Sequence, residues 1–229
     1  MTYVLIPGAG GQADYWQLLV DELGRRGREA VAVQLPAADE TAALPEYAEV
    51  VRAAIGDRDE VVVVAQSLGA FTAPLVCDTP AVRLLILVNP MIPAPGETAG
   101  AWWAATGHAE ARAGYAAAQG RTPTDDVDLA VDFFHDVPAA VTERIMAAGA
   151  TPQSAAVFTR PNPLRRWPDV PTRVLSGRDD RFFPLDFQRR LARQRLGVEV
   201  DDMPGGHLLA LSQPQALADR LEAYRRDRR

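Results

Sequence analysis

The chain has 229 residues, of which 48% are hydrophobic, so it can bury a full core as one domain that carries an insertion. Its 24 basic and 30 acidic residues give a net charge of −6 without a basic stripe, which argues against nucleic acid as a partner. All of the basic residues are arginine, so a Schiff base or a lysine general base is excluded.

The N-terminus and the cysteine content indicate the cellular location. The N-terminal residues have no signal-peptide pattern, and no apolar stretch approaches the roughly 18 residues of a membrane span. Cys77 is the only cysteine, so no internal disulfide can form, and we expect it to be buried. These features predict a cytoplasmic protein that does not bind membranes, either a monomer or a homodimer.

Short β-rich runs alternate with helical patterns along most of the chain. We predict strands at residues 3–6, 30–35, 61–64, 84–88, 172–175 and 198–201. Helices are predicted near residues 16–23, 44–55, 70–76, 184–196 and 214–224. This alternation indicates an α/β fold in which about six mostly parallel strands form a sheet flanked by helices.

The alternation stops after Asn89 and Pro90. Residues 91–168 contain no strand signal, only alanine-rich helical stretches that carry several aromatic residues and prolines. We call residues 91–168 the cap segment, and we predict that it is inserted into a core formed by residues 1–90 and 169–229.

A serine stands at a predicted strand-to-helix turn. Four consecutive valines, 61–64, are typical of a strand buried on both faces, and Ser67 follows three residues after the last of them. A sharp turn here requires a positive φ at the serine and small residues on either side, which Ala65 and Gly69 provide. The pattern is a relaxed nucleophile elbow, and the alternative is a serine that caps a helix.

A nucleophilic serine needs a histidine base. The chain has three histidines, and only His207 follows a predicted strand, within a glycine-rich loop. The carboxyl end of that strand lies at the same sheet edge as Ser67, so His207 is the predicted base. His108 and His135 lie in the cap segment, where His135 either lines the pocket or packs beside Phe133.

The carboxylate that orients the histidine is expected between the serine and the histidine in the chain. Asp179 and Asp180 follow the predicted strand 172–175, and the residues themselves leave both open. The other aspartate is expected to stabilise a turn.

The glycine-rich loop 7–11 after the first strand can turn its backbone N–H groups inward. Together with the N–H of Leu68, the N–H of Ala9 is predicted to form an oxyanion hole. A dinucleotide site is the alternative, but the glycine spacing does not fit, and Gln34 and Leu35 stand where an acidic residue would be needed.

The chain resembles the α/β-hydrolase family over nearly its whole length, and most of all the small capped branch that includes plant methyl esterases and hydroxynitrile lyases. In that family the acid precedes a proline by four positions, which selects Asp180. Pro7 and Ala65 depart from the family pattern, which has histidine and glycine there. The motifs that carry the resemblance are P-G-A-G-G at 7–11, A-Q-S-L-G at 65–69, D-D-R-F-F-P at 179–184 and G-G-H-L at 205–208.

These motifs and the resemblance predict a serine hydrolase that cleaves small, largely apolar carboxylic esters through an acyl-enzyme, without a metal or an organic cofactor. The cap segment is expected to set substrate choice rather than chemistry. Its candidate pocket residues, which could equally form the core of the cap segment, are Trp102, Trp103, Phe133 and Phe134.

Three other functions fit the same scaffold: a lyase, a biosynthetic thioesterase or cyclase, and a ligand-binding protein with little turnover. In the branch that the chain resembles, cyanohydrin cleavage requires a lysine directly after the catalytic histidine and a hydroxyl residue in the oxyanion loop. Here Leu208 and Gly8 occupy these positions, so the resemblance favours ester hydrolysis. Arg178 or Arg181 could replace the missing positive charge.

Overall fold

In a computed structural model, residues 1–149 and 151–227 are described. Ala150 of the cap segment, and Arg228 and Arg229 at the end of the predicted core, lie outside the described residues. The predicted boundaries 1–90, 91–168 and 169–229 remain predictions.

The described residues form one six-stranded sheet in which all neighbouring strands are parallel. The order across the sheet is β2-β1-β3-β4-β5-β6. The prediction of about six strands is therefore confirmed, and the sheet is wholly rather than mostly parallel. The strands are β1 (Thr2–Ile6), β2 (Ala30–Ala32), β3 (Val61–Gln66), β4 (Val82–Val88), β5 (Thr172–Gly177) and β6 (Val200–Met203).

Helices follow most of the strands and cover both faces of the sheet. They are α1 (Gln17–Arg25), α2 (Leu44–Ile55), α3 (Ala99–Thr106), α4 (His108–Ala118), α5 (Ala139–Ala147), α6 (Ala155–Thr159), α7 (Leu185–Leu196), α8 (Leu209–Ser212) and α9 (Pro214–Arg226). No described helix is long and apolar enough to cross a lipid bilayer.

The valines of β3 face both sides of the sheet. Val61 and Val63 pack in an apolar cluster with residues of α2 and α7, whereas Val62 and Val64 pack with residues of α1 and α9. Because both faces are covered, β3 is entirely buried, and this explains a valine run without polar alternation.

Most predicted elements differ from the observed ones by a few residues at an end, and three of the differences have a local cause. The segment after β3 forms two 3-10 turns, Ser67–Phe71 and Ala73–Leu75, because Pro74 lacks the N–H that a continuous α-helix would need. β2 ends at Ala32, since the chain then turns toward the glycine-rich loop, where Leu35 N–H donates to Gly11 O (2.9 Å). β6 begins two residues late, after Gly197 ends α7 in the left-handed conformation.

The described part of the cap segment is helical, as the sequence predicts, and contains no strand. It consists of α3 to α6 and a π-helical turn, Leu129–Phe133. Trp102 and Val157 belong to the same apolar cluster as the face of the sheet that α2 and α7 cover. The cap segment therefore shares the core of the sheet rather than forming a separate one.

Candidate active site

Three loops meet at the carboxyl edge of the sheet. Ser67 follows β3, Asp180 follows β5 and His207 follows β6. Gln66, at the end of β3, donates from Nε2 to the carbonyl of His207 (3.4 Å). The turn at Ser67 is therefore in contact with the loop 204–208, which carries His207 and is called the histidine loop below. The parallel sheet thus places the three predicted triad residues at one edge.

The turn at Ser67 is sharp and closely packed. Ser67 has φ +49°, as the predicted elbow requires. A Cβ on Gly69 would lie 2.5 Å from the carbonyl oxygen of Pro7, and a Cβ on Gly8 would lie 3.1 Å from Cβ of Ser67. Gly8 and Gly69 therefore let the glycine-rich loop 7–11 approach Ser67 closely.

His207 and Asp180 form a buried pair. Nδ1 of His207 donates to Oδ2 of Asp180 (2.7 Å), and Oδ1 of Asp180 accepts from the N–H groups of Phe182 and Phe183 (2.8 Å each). His207 is 1% exposed and Asp180 is fully buried. A carboxylate held by three donors fixes the imidazole in one tautomer and orientation.

Asp179 has a different environment, since it is exposed and lies against the histidine loop. Its Oδ2 accepts from the N–H of Gly205 (3.2 Å), and its own N–H donates to Gly205 O (2.9 Å). The geometry therefore separates the two aspartates: Asp180 contacts the imidazole, and Asp179 stabilises the loop before it.

The second nitrogen of His207 is available. Because Nδ1 donates its proton to Asp180, Nε2 carries the lone pair in the neutral ring. Within residues 1–149 and 151–227, Nε2 is buried and has no hydrogen-bond partner, the Ser67 hydroxyl included. A buried base with a free lone pair can accept a proton from a nucleophile that approaches it.

The glycine-rich loop 7–11 presents backbone N–H donors beside Ser67. The N–H of Gly10 donates to Oε1 of Gln153 in the cap segment (2.9 Å), and the N–H of Gly11 donates to Gly8 O (3.1 Å). The N–H of Ala9 has no acceptor among the described residues, and the N–H of Leu68 lies in the first turn of the 3-10 segment Ser67–Phe71, where backbone N–H groups lack partners within the turn. These two groups can bind a developing oxyanion.

A narrow apolar cavity lies next to this loop. In this structure it is a cleft too tight to hold a water molecule. It is lined by Pro7, Gly8, Leu35, Leu44, Tyr47, Leu68, Gly69, Thr72 and Val157. Leu35, Tyr47 and Val157 come from three separate segments, and nothing in the sequence pattern marks them as neighbours of Ser67.

The four aromatic residues predicted for the pocket occupy different places. The Phe133 ring meets the His207 ring edge-on, with centroids 5.0 Å apart, and Phe134 is half-buried beside it in the chain. Trp102 is fully buried, and its Nε1 donates to Ile92 O (2.9 Å). Trp103 is half-buried and packs edge-on against Trp102. The structure therefore brings Phe133, but not Trp102, to the imidazole.

Comparison with known proteins identifies the fold family. A family model described as the alpha/beta hydrolase family matches residues 3–220. The chain belongs to the α/β-hydrolase family. No curated protein matches it.

Solved α/β-hydrolase structures share the fold at low sequence identity. The chain is similar to a pyrethroid hydrolase from Sphingobium faniae JZ-2 (20% identity, 98% of this chain and 96% of that chain, TM-score 0.74). It is also similar to an extracellular hydrolase from a Paenibacillus species, described as a structural and functional homologue of tobacco salicylic acid binding protein 2 (16%, 97% and 98%, 0.76). A third similar structure is the Arabidopsis methylesterase MES16 (16%, 99% and 99%, 0.73).

The cap segment of this α/β-hydrolase contacts the histidine loop. Oδ2 of Asp136 accepts from the N–H of Gly206 (2.6 Å). A Cβ on Gly206 would lie 2.7 Å from both Oδ1 of Asp136 and Nε2 of His135, so a larger residue would displace these side chains. Burial, with Arg181 nearby, lowers the pKa of His135 and favours its neutral form.

His108 joins the cap segment to the loop that carries Asp180. Its Nε2 donates to the carbonyl of Phe182 (2.8 Å), and its ring packs among Trp103, Phe183 and Phe187. Burial lowers the pKa of His108, so the imidazole is neutral near pH 7. This histidine is bound in an aromatic cluster between the cap segment and the segment 182–187.

The two arginines near Asp180 in sequence are engaged elsewhere. Arg178 donates from Nε to Oδ2 of Asp202 (2.8 Å), and Arg181 donates to the carbonyl of Val131 (3.1 Å). Neither contact directs the guanidinium to His207.

Proposed function

We propose that this α/β-hydrolase is a serine hydrolase of small, largely apolar carboxylic esters that works through an acyl-enzyme. The observation that carries the proposal is the buried His207–Asp180 pair, whose free Nε2 lies at the sheet edge where Ser67 is held at φ +49°. Such a pair is the general base that a serine hydroxyl needs at neutral pH.

In the first half-reaction, Oγ of Ser67 attacks the ester carbonyl carbon while Nε2 of His207 takes the hydroxyl proton. The N–H groups of Ala9 and Leu68 bind the oxyanion of the tetrahedral intermediate. Asp180 stabilises the imidazolium through Nδ1. The bond from carbon to the leaving oxygen then breaks, and the imidazolium protonates the alcohol, which leaves neutral.

In the second half-reaction, water attacks the acyl-enzyme. His207 takes a proton from the water, the same two N–H groups bind the second oxyanion, and the proton passes to Oγ of Ser67 as the carboxylic acid departs. Every proton moves through Nε2, so the sequence of steps needs no metal or organic cofactor.

The substrate class follows from the walls of the cavity. Leu35, Leu44 and Val157 supply apolar surface, whereas Tyr47 supplies a hydroxyl that is bound to Gln153 (3.0 Å). Walls of this kind favour a small apolar acyl or alcohol group, and the cleft must widen to admit it. Phe133, against the His207 ring, is placed to contact the other part of the ester.

The test is covalent labelling with a fluorophosphonate, which reacts with activated serines. We expect the parent protein to be labelled at Ser67 and Ser67→Ala to remain unlabelled. Ser176→Ala is the matched control, because Ser176 is fully buried in β5 and its hydroxyl has no partner among the described residues. Equal labelling of Ser67→Ala and the parent would refute the nucleophile assignment.

A panel of esters with graded acyl length then tests the reaction. We expect turnover of short apolar esters, dependent on Ser67 and His207. We expect no cyanide release from mandelonitrile, because Leu208 rather than a cation follows His207, and Arg178 and Arg181 are bound to other groups instead of a departing anion. Cyanide release that depends on Ser67 would assign the protein to lyases, and labelling without ester turnover would favour a binding protein.

A further inference from the structure

Asn89, the first residue after β4, has an unusual backbone. Its φ is +43°, and it is fully buried. Apart from glycine, asparagine is among the few residues that adopt the left-handed region readily, and even there it persists only where the surroundings fix it. In the described chain, Ser67 and Asn89 are the non-glycine residues with positive φ.

The Asn89 side chain joins two of the catalytic loops. Nδ2 donates to the carbonyls of His207 (2.9 Å) and Gly206 (3.1 Å), and Oδ1 accepts from the N–H of Gly177 (2.7 Å). Gly177 is the last residue of β5, and its carbonyl accepts from the N–H of Asp180 (3.2 Å). The side-chain amide of Asn89 therefore connects the histidine loop to the start of the loop that follows β5 and carries Asp180.

The residues after Asn89 extend the connection to the nucleophile. The N–H of Met91 donates to the carbonyl of Ser67 (3.0 Å). Pro90 is itself held, since its carbonyl accepts from Nε2 of the buried Gln188 (3.1 Å). The segment 89–91 thus contacts the main chain of all three loops that bear the proposed triad.

We propose that Asn89 is a positioning residue that sets His207 relative to Asp180 and Ser67. The inference rests on the proposed function. Among the described residues, the Asn89 side chain forms hydrogen bonds to main-chain groups, so we infer that it acts through the placement of the imidazole and not on the substrate. Without the Nδ2 donors, the carbonyl of Gly206 loses its side-chain donor, and the carbonyl of His207 keeps only the long hydrogen bond from Gln66. The histidine loop is then free to shift.

A small shift is sufficient to impair catalysis, because a catalytic group displaced by about 1 Å can lower the rate about 100-fold. The expected signature is a fall in kcat with KM nearly unchanged, since the cavity beside Gly8 and Leu68 is not lined by Asn89.

The test compares Asn89→Asp with Asn162→Asp. Both asparagines are buried, and both accept a backbone N–H at Oδ1, from Gly177 (2.7 Å) and Leu164 (2.9 Å) respectively. Both also donate to backbone carbonyls, but the partner of Asn162 is Phe71, outside the histidine loop. The same chemical change is thus made at two buried sites, only one of which touches His207.

We expect both variants to lose stability and only Asn89→Asp to lose kcat, by about 10- to 100-fold. The fluorophosphonate labelling rate should fall by the same factor. Proton NMR gives a readout independent of turnover: the low-field signal of the His207 Nδ1–H, assigned by its absence in His207→Gln, should be present in the parent and in Asn162→Asp but weakened in Asn89→Asp.

A second variant covers the case in which Asn89→Asp does not fold. Asn89→Gly removes the side chain yet accepts φ +43° without strain, so it should fold and show the same loss of kcat. A folded Asn89 variant with the kcat and the low-field signal of Asn162→Asp would overturn the positioning role. If the parent neither labels nor hydrolyses esters, the proposed function fails, while the NMR comparison still decides whether Asn89 positions His207.

Discussion

The sheet edge and the outer part of the cap segment differ in how deeply their residues are buried. At the sheet edge, Asp180, His207 and Asn89 are all buried and bound by side-chain hydrogen bonds. In the cap segment, α5 has no buried residue, and the exposed large apolar side chains of the described chain, Val127, Leu129, Val131 and Met146, all lie in this segment. The polar side chains at the sheet edge are therefore held in a fixed geometry, whereas part of the cap segment is exposed to solvent.

The cap segment nevertheless contacts the loops of the proposed site at several points, two of them through side-chain acceptors. Asp136 binds the N–H of Gly206, and Gln153 binds the N–H of Gly10. Side chains of the cap segment thus hold two of the loops that form the proposed site. The expectation that the cap segment sets substrate choice rather than chemistry stays a prediction, and these contacts show where it can be tested.

The largest effect is expected at the sheet edge. Asp180→Asn should lower kcat by about 10² to 10⁴-fold, because the amide cannot hold the imidazole in the donating tautomer or stabilise the imidazolium. Asp179→Asn should change kcat little, since an amide oxygen can still accept from Gly205. Steady-state kinetics of the two single variants check this, and the opposite ranking would reassign the acid.

The aromatic residues of the cap segment should divide into structural and substrate-contacting groups. Trp102→Ala removes a fully buried ring and should cost about 3–5 kcal/mol of unfolding free energy. Phe133→Ala should cost less and should instead change the order of preference within the ester panel, because its half-buried ring lies against His207. Denaturant unfolding and the panel, measured on both variants, separate the roles; a uniform loss across all esters for Phe133→Ala would make that ring structural.

A smaller effect, on stability, is expected from a charge cluster around Glu222 in α9. Burial opposes ionisation of Glu222, but hydrogen bonds from Arg225, Tyr3 and Arg28 outweigh it and lower its pKa from 4.5 to about 2. A carboxyl whose pKa is lower in the folded state stabilises the fold above the unfolded-state pKa and loses this contribution as the pH falls toward 2.

Glu222→Gln should therefore cost about 2 kcal/mol at pH 7, and the difference from the parent should shrink between pH 4.5 and 2. Glu49→Gln is the control, because the Glu49 side chain is 74% exposed in its pair with Arg52, and exposed pairs contribute about 0–1 kcal/mol. Urea titrations across this pH range measure both. A constant difference at all pH values would show that Glu222 acts through packing alone.

The smallest effect is expected at the contact between the cap segment and the oxyanion loop. Gln153→Ala removes the acceptor for Gly10 N–H and should lower kcat about tenfold for all esters alike, since the N–H of Ala9 is then less well oriented. Gln153→Glu keeps the acceptor, and Tyr47 can donate its hydroxyl proton to it, so activity should be retained. A change in ester preference instead of a uniform loss would show that Gln153 serves selectivity only.

The sequence by itself determined the order of strands and helices, the turn at Ser67 and the loop that bears His207. These are local properties: a valine run that must be buried on both faces, small residues at 65 and 69 that permit φ +49°, and a glycine-rich stretch after a strand. It also led to Asp180, but only through the resemblance to a family. From the residues alone, Asp179 was equally suitable.

Tertiary structure decided the rest. It buries Asp180 against His207 while leaving Asp179 exposed, places Trp102 in the interior and Phe133 at the imidazole, and gathers the cavity walls from three segments. Asn89 is the clearest case, because at the end of a strand it has no motif, and its three hydrogen bonds reach loops 88 to 118 residues away. Such contacts depend on how strands distant in the chain are ordered in the sheet, and no local periodicity or spacing records that order.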